Sequence, residues 1–196
     1  MLTPVPLDHE HFLKYLLETF GTFHEVLQHN SPDGGRPVFV FIYQDVPEKG
    51  MITGITYGLS LTNHPEWTNG KPELVISVNS QNTSWPFAIA YFAAEFRGQK
   101  AFAPGDIFTM DGPIAPDSTM NGLLVYGTSI LQPQDSVFQL ANHKIHLLQM
   151  YPVYQSEITL YEKIGLQAFV SRPDFDFYNV TRTPLTDEEK SAPNPK

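Results

Sequence analysis

The stretch from Met51 to Phe96 constrains this chain most: MITGITYGLSLTNHPEWTNGKPELVISVNS, followed by QNTSWPFAIAYFAAEF. Across Met51–Thr62 the odd positions carry Met51, Thr53, Ile55, Tyr57, Leu59 and Leu61, whereas the even ones include Gly54, Thr56, Gly58 and Ser60. Strand side chains alternate between faces, so this spacing predicts a strand with one large apolar face and one small face. A small face lets another element approach closely. Residues 85–96 are apolar almost all round and carry Ala88, Ala90, Ala93 and Ala94, which predicts an interior helix suited to cover that face.

The flanking chain supplies further elements. Phe12, Leu13, Leu16, Leu17, Phe20, Phe23 and Leu27 recur at helical spacing, predicting an amphipathic helix from an Asp8 cap, with Leu7 and Phe12 as its hydrophobic staple, to about Gln28. Gly21 marks a kink or break within it. Residues 37–43 (PVFVFIY) suit a strand covered on both sides, and Leu74, Ile76 and Val78 alternate with more polar neighbours as a half-buried strand. Ser84 is the expected cap of the alanine-rich helix. Beyond it, the spacing predicts a Gly105-Asp106 turn with a short strand, a strand at 122–126, and a hairpin about Asn142-His143. A helix over 157–164 is capped by Ser156 and ended by Gly165. Strands interleaved with helices in this order predict an α+β single domain over 1–182, a bent, mainly antiparallel or mixed sheet with three main helices. The Pro-rich polar run at 183–196 is expected to be a disordered tail.

Composition narrows the function. At 196 residues the chain can bury roughly 70% of its unfolded surface around one core. Twelve basic residues against 21 acidic ones, a net charge of −9 and no basic cluster argue against nucleic acid. The absence of cysteine excludes disulfides and thiolate zinc sites. No leader-like or membrane-spanning apolar run is present, so a cytoplasmic protein without a membrane partner is expected. No phosphate-cradling glycine loop, zincin motif or nucleophile elbow occurs. His9 and His11, and His143 and His146, are spaced onto different sides of their elements, so no metal or other cofactor is expected.

Two sets of residues stand out for binding. Trp67, in the His64-Pro65-Glu66-Trp67 connection, and Tyr151 fall outside the periodic apolar runs; exposed aromatics ringed by acids suit a protein partner, and the alternative is that both simply lid the ends of the sheet. Asp106 and Asp111 sit in Gly-Asp and Asp-Gly turns, where aspartate ordinarily bonds its own backbone. The alternative is an enzyme or small-molecule binder, with a cleft built from Glu95, Asp106 and Asp111 or floored by Gly54, Gly58 and Ser60.

The run Gly50–Ser60, then His64-Pro65-Glu66-Trp67, Pro72–Val78, Phe102-x-x-Gly105-Asp106-Ile107 and Met150-Tyr151-Pro152-Val153-Tyr154-x-Ser156-Glu157 closely resembles bacterial members of the Suppressor of fused family. The likeness covers about residues 36–178 in the same order. It implies the Suppressor of fused α+β domain and a binding function without enzymatic activity. Eukaryotic relatives sequester a zinc-finger transcription factor by gripping an extended peptide as an added strand between two domains. Bacterial relatives imply an immunity protein that neutralises a toxin. By the same resemblance Asp106 matches a residue near the peptide site, and Ala94 stands where a partner-site tyrosine is found. The chain ends where the eukaryotic second domain would begin, so a two-domain clamp is not expected. The reading is a non-enzymatic protein-binding module for a partner such as a basic toxin domain, met by Asp106, Asp111, Glu66, Trp67 and Tyr151. An acidic inhibitor reaches a basic partner quickly. The oligomeric state is open, with homo-oligomerisation a further possibility.

Overall fold

One strand, β4 (Lys71–Val78), holds the centre of the sheet and is buried along nearly its whole length. The structure is a computed structural model that describes residues 7–32 and 34–187, and side chains from residue 9 onward. The expected Asp8 cap and Leu7 staple therefore lie outside the described side chains. On one side β4 pairs antiparallel with β3 (Ile52–Tyr57), followed by β2 (Val38–Gln44) and β1 (Glu25–His29). On the other it pairs parallel with β8 (Lys144–Val153), followed by β6 (Gly122–Gly127) and β5 (Ile107–Thr109), while β7 (Val137–Gln139) pairs with β8 off this path. The β4–β8 ladder is the single parallel pairing among the described strands, so the fold is the expected α+β domain with a mainly antiparallel sheet.

Helices cover both faces. The alanine-rich helix, α2 (Ser84–Phe96), lies over Val38, Val40, Ile42, Ile52, Leu74, Ile76 and Val78. Its Pro86 sits so close to Gly54 that a Cβ there would come within 2.7 Å of the Pro86 Cβ. The small face of the central stretch is thus filled by its own helix, as expected, which removes the alternative of a pocket floored by Gly54. On the opposite face α1 (Leu7–Phe20) packs Phe12 and Leu16 onto Phe41, Tyr43, Ile55, Tyr57 and Val75. Farther along that face α3 (Gln155–Ile164) and α4 (Leu166–Val170) bury Leu160 and Phe169 on Leu124, Tyr151 and Val153.

Four local expectations are corrected. The first helix stops at Phe20, because Gly21 takes φ +80° and its N–H closes on Leu17 O; Phe23 then lies in the bend that follows, its ring on Phe41 and Tyr43, and Leu27 belongs to a strand that pairs with β2. The strand read from Met51 to Thr62 ends at Tyr57, and a 3-10 turn at Leu59–Leu61 returns Leu59 to the α2 side. The strand at Leu74–Val78 is buried rather than half-buried, because α1 and α2 cover its two faces and its polar residues find internal partners. The start of α2 is held by Asn82, whose Oδ1 accepts from Ser84 N–H, rather than by Ser84 itself.

The chain also stays packed past residue 182. Arg182 forms a buried two-pronged pair with Glu157, at 2.5 and 2.8 Å, and Leu185 is buried with its N–H donated to Glu157 at 2.8 Å. Arg172 bonds Asp174 through Nε and Nη2 and donates from Nη1 to Thr186 O. The boundary expected at 182/183 therefore falls inside packed chain; residues 188–196 lie outside the described set.

Candidate binding rim

The connection between the 3-10 turn and β4 meets the connection between α2 and β5, and their contact builds a rim. Trp67 is half-buried, and its Nε1–H donates to Ala101 O at 2.7 Å. Together the two connections enclose a cleft of about 350 Å³ lined by Glu66, Trp67, Pro72, Phe102, Pro104, His146 and Leu148, among others. His146 Nε2–H donates to Asn69 O at 3.1 Å, fixing β8 to the first connection. A second groove of about 400 Å³ runs along the other side of the Trp67–Lys71 segment, against Gln139 and 142–144.

A smaller cleft of about 190 Å³ lies beside β5, between Phe96, Lys100, Asp106 and Thr109. The wall between it and the Trp67 cleft is aromatic: Phe102 lines one, Phe108 lines the other, and their rings stack with centroids 4.7 Å apart. Phe102 takes φ +54°, a left-handed conformation that costs a residue with a Cβ about 1–2 kcal/mol. Its fully buried ring holds it there. Asp106 stabilises the same loop. Its Oδ2 accepts from Ala103 N–H at 2.8 Å while its own N–H donates to Ala103 O.

The structure thus brings Glu66 and Trp67 together in one cleft and puts Asp106 in the next, with the Phe102 loop between. Asp111 is exposed and lines neither cleft. Tyr151 drops out of the partner-facing set. It is 1% exposed beneath α3 and α4, its hydroxyl donates to Gly127 O at 2.7 Å, and burial pushes that hydroxyl's pKa well up. The acid cleft of Glu95, Asp106 and Asp111 does not form: neither Glu95 nor Asp111 lines the cleft that holds Asp106. No group of three or more potential metal ligands occurs among the described residues, and no described helix is long and apolar enough to cross a membrane.

Three participants escaped the sequence reading. His146 and Lys100 reach the clefts only because β8 and the end of α2 converge there, which spacing along either element cannot reveal. Glu73 is the third. It is fully buried and accepts four hydrogen bonds, from Thr56 Oγ1 at 2.6 Å, Gly58 N–H at 2.8 Å, Ser60 N–H at 3.0 Å and Ser60 Oγ at 2.7 Å. Burial pushes its carboxyl above the ordinary range, and the four donors oppose that with a smaller effect. Polar groups do converge on Gly58 and Ser60, as the pocket alternative required, but they meet in the interior on Glu73 rather than over an open cleft. Nearby Lys71, lowered by burial, donates from Nζ to Thr62 O at 2.8 Å.

The profile of the family described as Suppressor of fused protein (SUFU) matches residues 34–183. The chain belongs to the Suppressor of fused family. Solved structures of the family share the fold. A SUFU homologue from Neisseria gonorrhoeae is similar at a TM-score of 0.63 and 12% identity, over 90% of this chain and 96% of that one. The crystal structure of the Sufu–Fu complex matches with a TM-score of 0.63 and 13% identity, covering 91% of each chain. Drosophila Suppressor of Fused matches with a TM-score of 0.62 and 13% identity over 93% of this chain but only 53% of its own. No curated protein matches the sequence. Family membership agrees with the resemblance read from Gly50–Ser60 and the motifs that follow it.

Proposed function

We propose that this chain is a non-enzymatic protein-binding module whose rim takes an extended segment of a partner, and that the partner is a basic toxin protein which the chain neutralises. The observation that carries this reading is the pair of clefts flanking the Phe102 loop beside β5. One offers apolar and aromatic walls to an anchoring side chain, and the other opens along a strand at the end of the sheet order. An added strand is held by main-chain hydrogen bonds, while adjoining pockets select its side chains. Glu66 and Asp106, with Asp111 in the loop beyond β5, add acidic groups to a chain of net charge −9, which favours a basic partner. Membership in a family whose solved structures include the Sufu–Fu complex supports a protein partner.

Rescue is the test. The chain is co-expressed with basic toxin domains drawn from its source genome, and survival is compared with that of Trp67→Ala and Glu66→Lys variants whose circular dichroism and melting match wild type. Wild type protects and binds the purified toxin, whereas the variants lose affinity by at least about tenfold, as expected when the wall of the pocket that receives the partner's anchor is removed or its charge reversed. Absence of both rescue and binding, or full rescue by both variants, defeats the reading.

A further inference from the structure

The end of the sheet opposite β5 carries the longer of the two terminal strands. Among the described strands β1 (Glu25–His29) pairs with β2 along one side only and stands last in the strand order. Unprotected edges invite pairing, and proteins blunt them with proline, lysine or very short strands. β5 has three residues, whereas β1 has five and contains neither proline nor lysine. Its surroundings are apolar for a surface: Val26 and Phe87 are each 39% exposed, and the His29 ring lies 5.4 Å from both Phe87 and Tyr91.

We propose that β1 is a homodimer edge at which two copies of this chain join their sheets antiparallel about Leu27. The sequence Glu25-Val26-Leu27-Gln28-His29 is complementary to itself in that register. Leu27 meets Leu27 of the second copy, and Val26 meets Gln28. Glu25 meets His29 twice, once on each side of the two-fold axis. Glu25, Leu27 and His29 share one face, since their β2 partners Ile42, Val40 and Val38 all belong to the core beneath α2. Both Glu25–His29 pairs therefore fall on the α2 side, where Phe87 and Tyr91 shield them from water. His29 is held in place by Nδ1–H donating to Asn30 O at 2.9 Å, which leaves Nε2 facing the carboxylate of the second copy, to which it donates when the ring carries its second proton. Net charge of −9 on each copy opposes association at long range, so the pair is expected at ionic strengths where the Debye length is about 8 Å or less. β1 and β5 stand at opposite ends of the strand order, so this edge is separate from the rim.

Sedimentation equilibrium of the full chain in about 0.15 M salt tests the proposal, with three variants. The expected result is a concentration-dependent monomer–dimer equilibrium. His29→Glu sets like charges opposite each other twice and weakens the dimer roughly tenfold. Glu25→Lys/His29→Glu restores opposite pairing and returns affinity to within about threefold of wild type, while His29→Lys alone tightens it. A monomer at every concentration overturns the proposal, as does a dimer indifferent to these charges. A monomer whose β1 amides are nonetheless protected from exchange puts another segment of the chain on this edge, and it overturns the proposal too.

Discussion

Replacing Glu73 separates two accounts of a buried carboxylate. If the side chain matters as an acceptor, its loss strands four donors, two of them the backbone N–H groups of Gly58 and Ser60. Hydroxyls can rotate towards new partners, but backbone amides cannot. Each orphaned buried donor costs about 1–3 kcal/mol. Glu73→Ala is therefore expected to lose about 3–5 kcal/mol, lowering Tm by on the order of 10 °C in a chain of this size. Glu73→Gln should be far milder. Its carbonyl oxygen can occupy the Oε1 site, which serves Gly58 N–H, Ser60 N–H and Ser60 Oγ. The amide nitrogen then faces only Thr56 Oγ1, a hydroxyl that already accepts from Leu74 N–H. The expected cost is about 1 kcal/mol.

The pH dependence of the same pair follows from burial, the largest influence on the Glu73 carboxyl, which raises it. An acid with a raised folded pKa holds its proton more tightly in the native state than in the unfolded one. Its contribution to stability is fully present below the ordinary glutamate value, about 4.3, and is lost as pH rises through the folded value. Glutamine does not titrate. The Glu73→Gln variant should therefore gain on wild type as pH rises through that window and run parallel to it above. Urea unfolding of wild type and both variants at several pH values measures all of this. Equal losses for the two substitutions, or a Glu73→Ala protein within about 1 kcal/mol of wild type, refute the acceptor account. A Glu73→Gln protein that falls behind wild type with rising pH refutes the burial account.

Two further substitutions test the packing. Gly54→Ala drives a methyl into Pro86 at 2.7 Å and Val40 at 3.2 Å, and is expected to cost about 1–3 kcal/mol in urea unfolding; no loss means that α2 can lift from the sheet. Arg182→Ala leaves the fully buried Glu157 carboxylate without its cation and is expected to cost about 3–5 kcal/mol, with proteolysis moving inward from the C-terminus; a loss under about 1 kcal/mol would mean that the segment after 182 docks without the pair.

What was legible in the sequence was whatever periodicity alone decides. β2, α2 and the β7–β8 hairpin stand where apolar spacing and turn residues put them, and the pairing of a small strand face with an alanine-rich helix was readable because both halves are local. Phe23 and Leu27 fit a helical stripe with Phe12 and Leu16, yet one glycine at positive φ broke the register and the segment paired with β2 instead. Tyr151 and Trp67 looked alike in sequence, as aromatics beside prolines. They separated only when α3 and α4 folded over the first and left the second on a rim. By spacing alone Glu73 falls on the polar side of a half-buried strand, because spacing cannot show that the turn at Gly58–Ser60 closes over it.

That turn also bears on how the rim works. Between Gly58 and Lys71 the connection is tied to the rest of the molecule at four points. Glu73 holds Gly58 and Ser60, Lys71 Nζ holds Thr62 O, Trp67 Nε1 holds Ala101 O, and His146 holds Asn69 O. On the facing side Phe102 is locked by its buried ring and by the Asp106 carboxylate on Ala103 N–H. Ordering a loop on binding costs about 0.5–1.5 kcal/mol for each side chain immobilised, so a connection already fixed in this way loses little more when a partner arrives. The buried Glu73 and the exposed Glu66 are therefore linked in their consequences. If the proposed partner binds at the Trp67 cleft, freeing Gly58–Ser60 by Glu73→Ala should weaken that binding even at temperatures where the protein stays folded, whereas Glu73→Gln, which keeps the turn closed, should not.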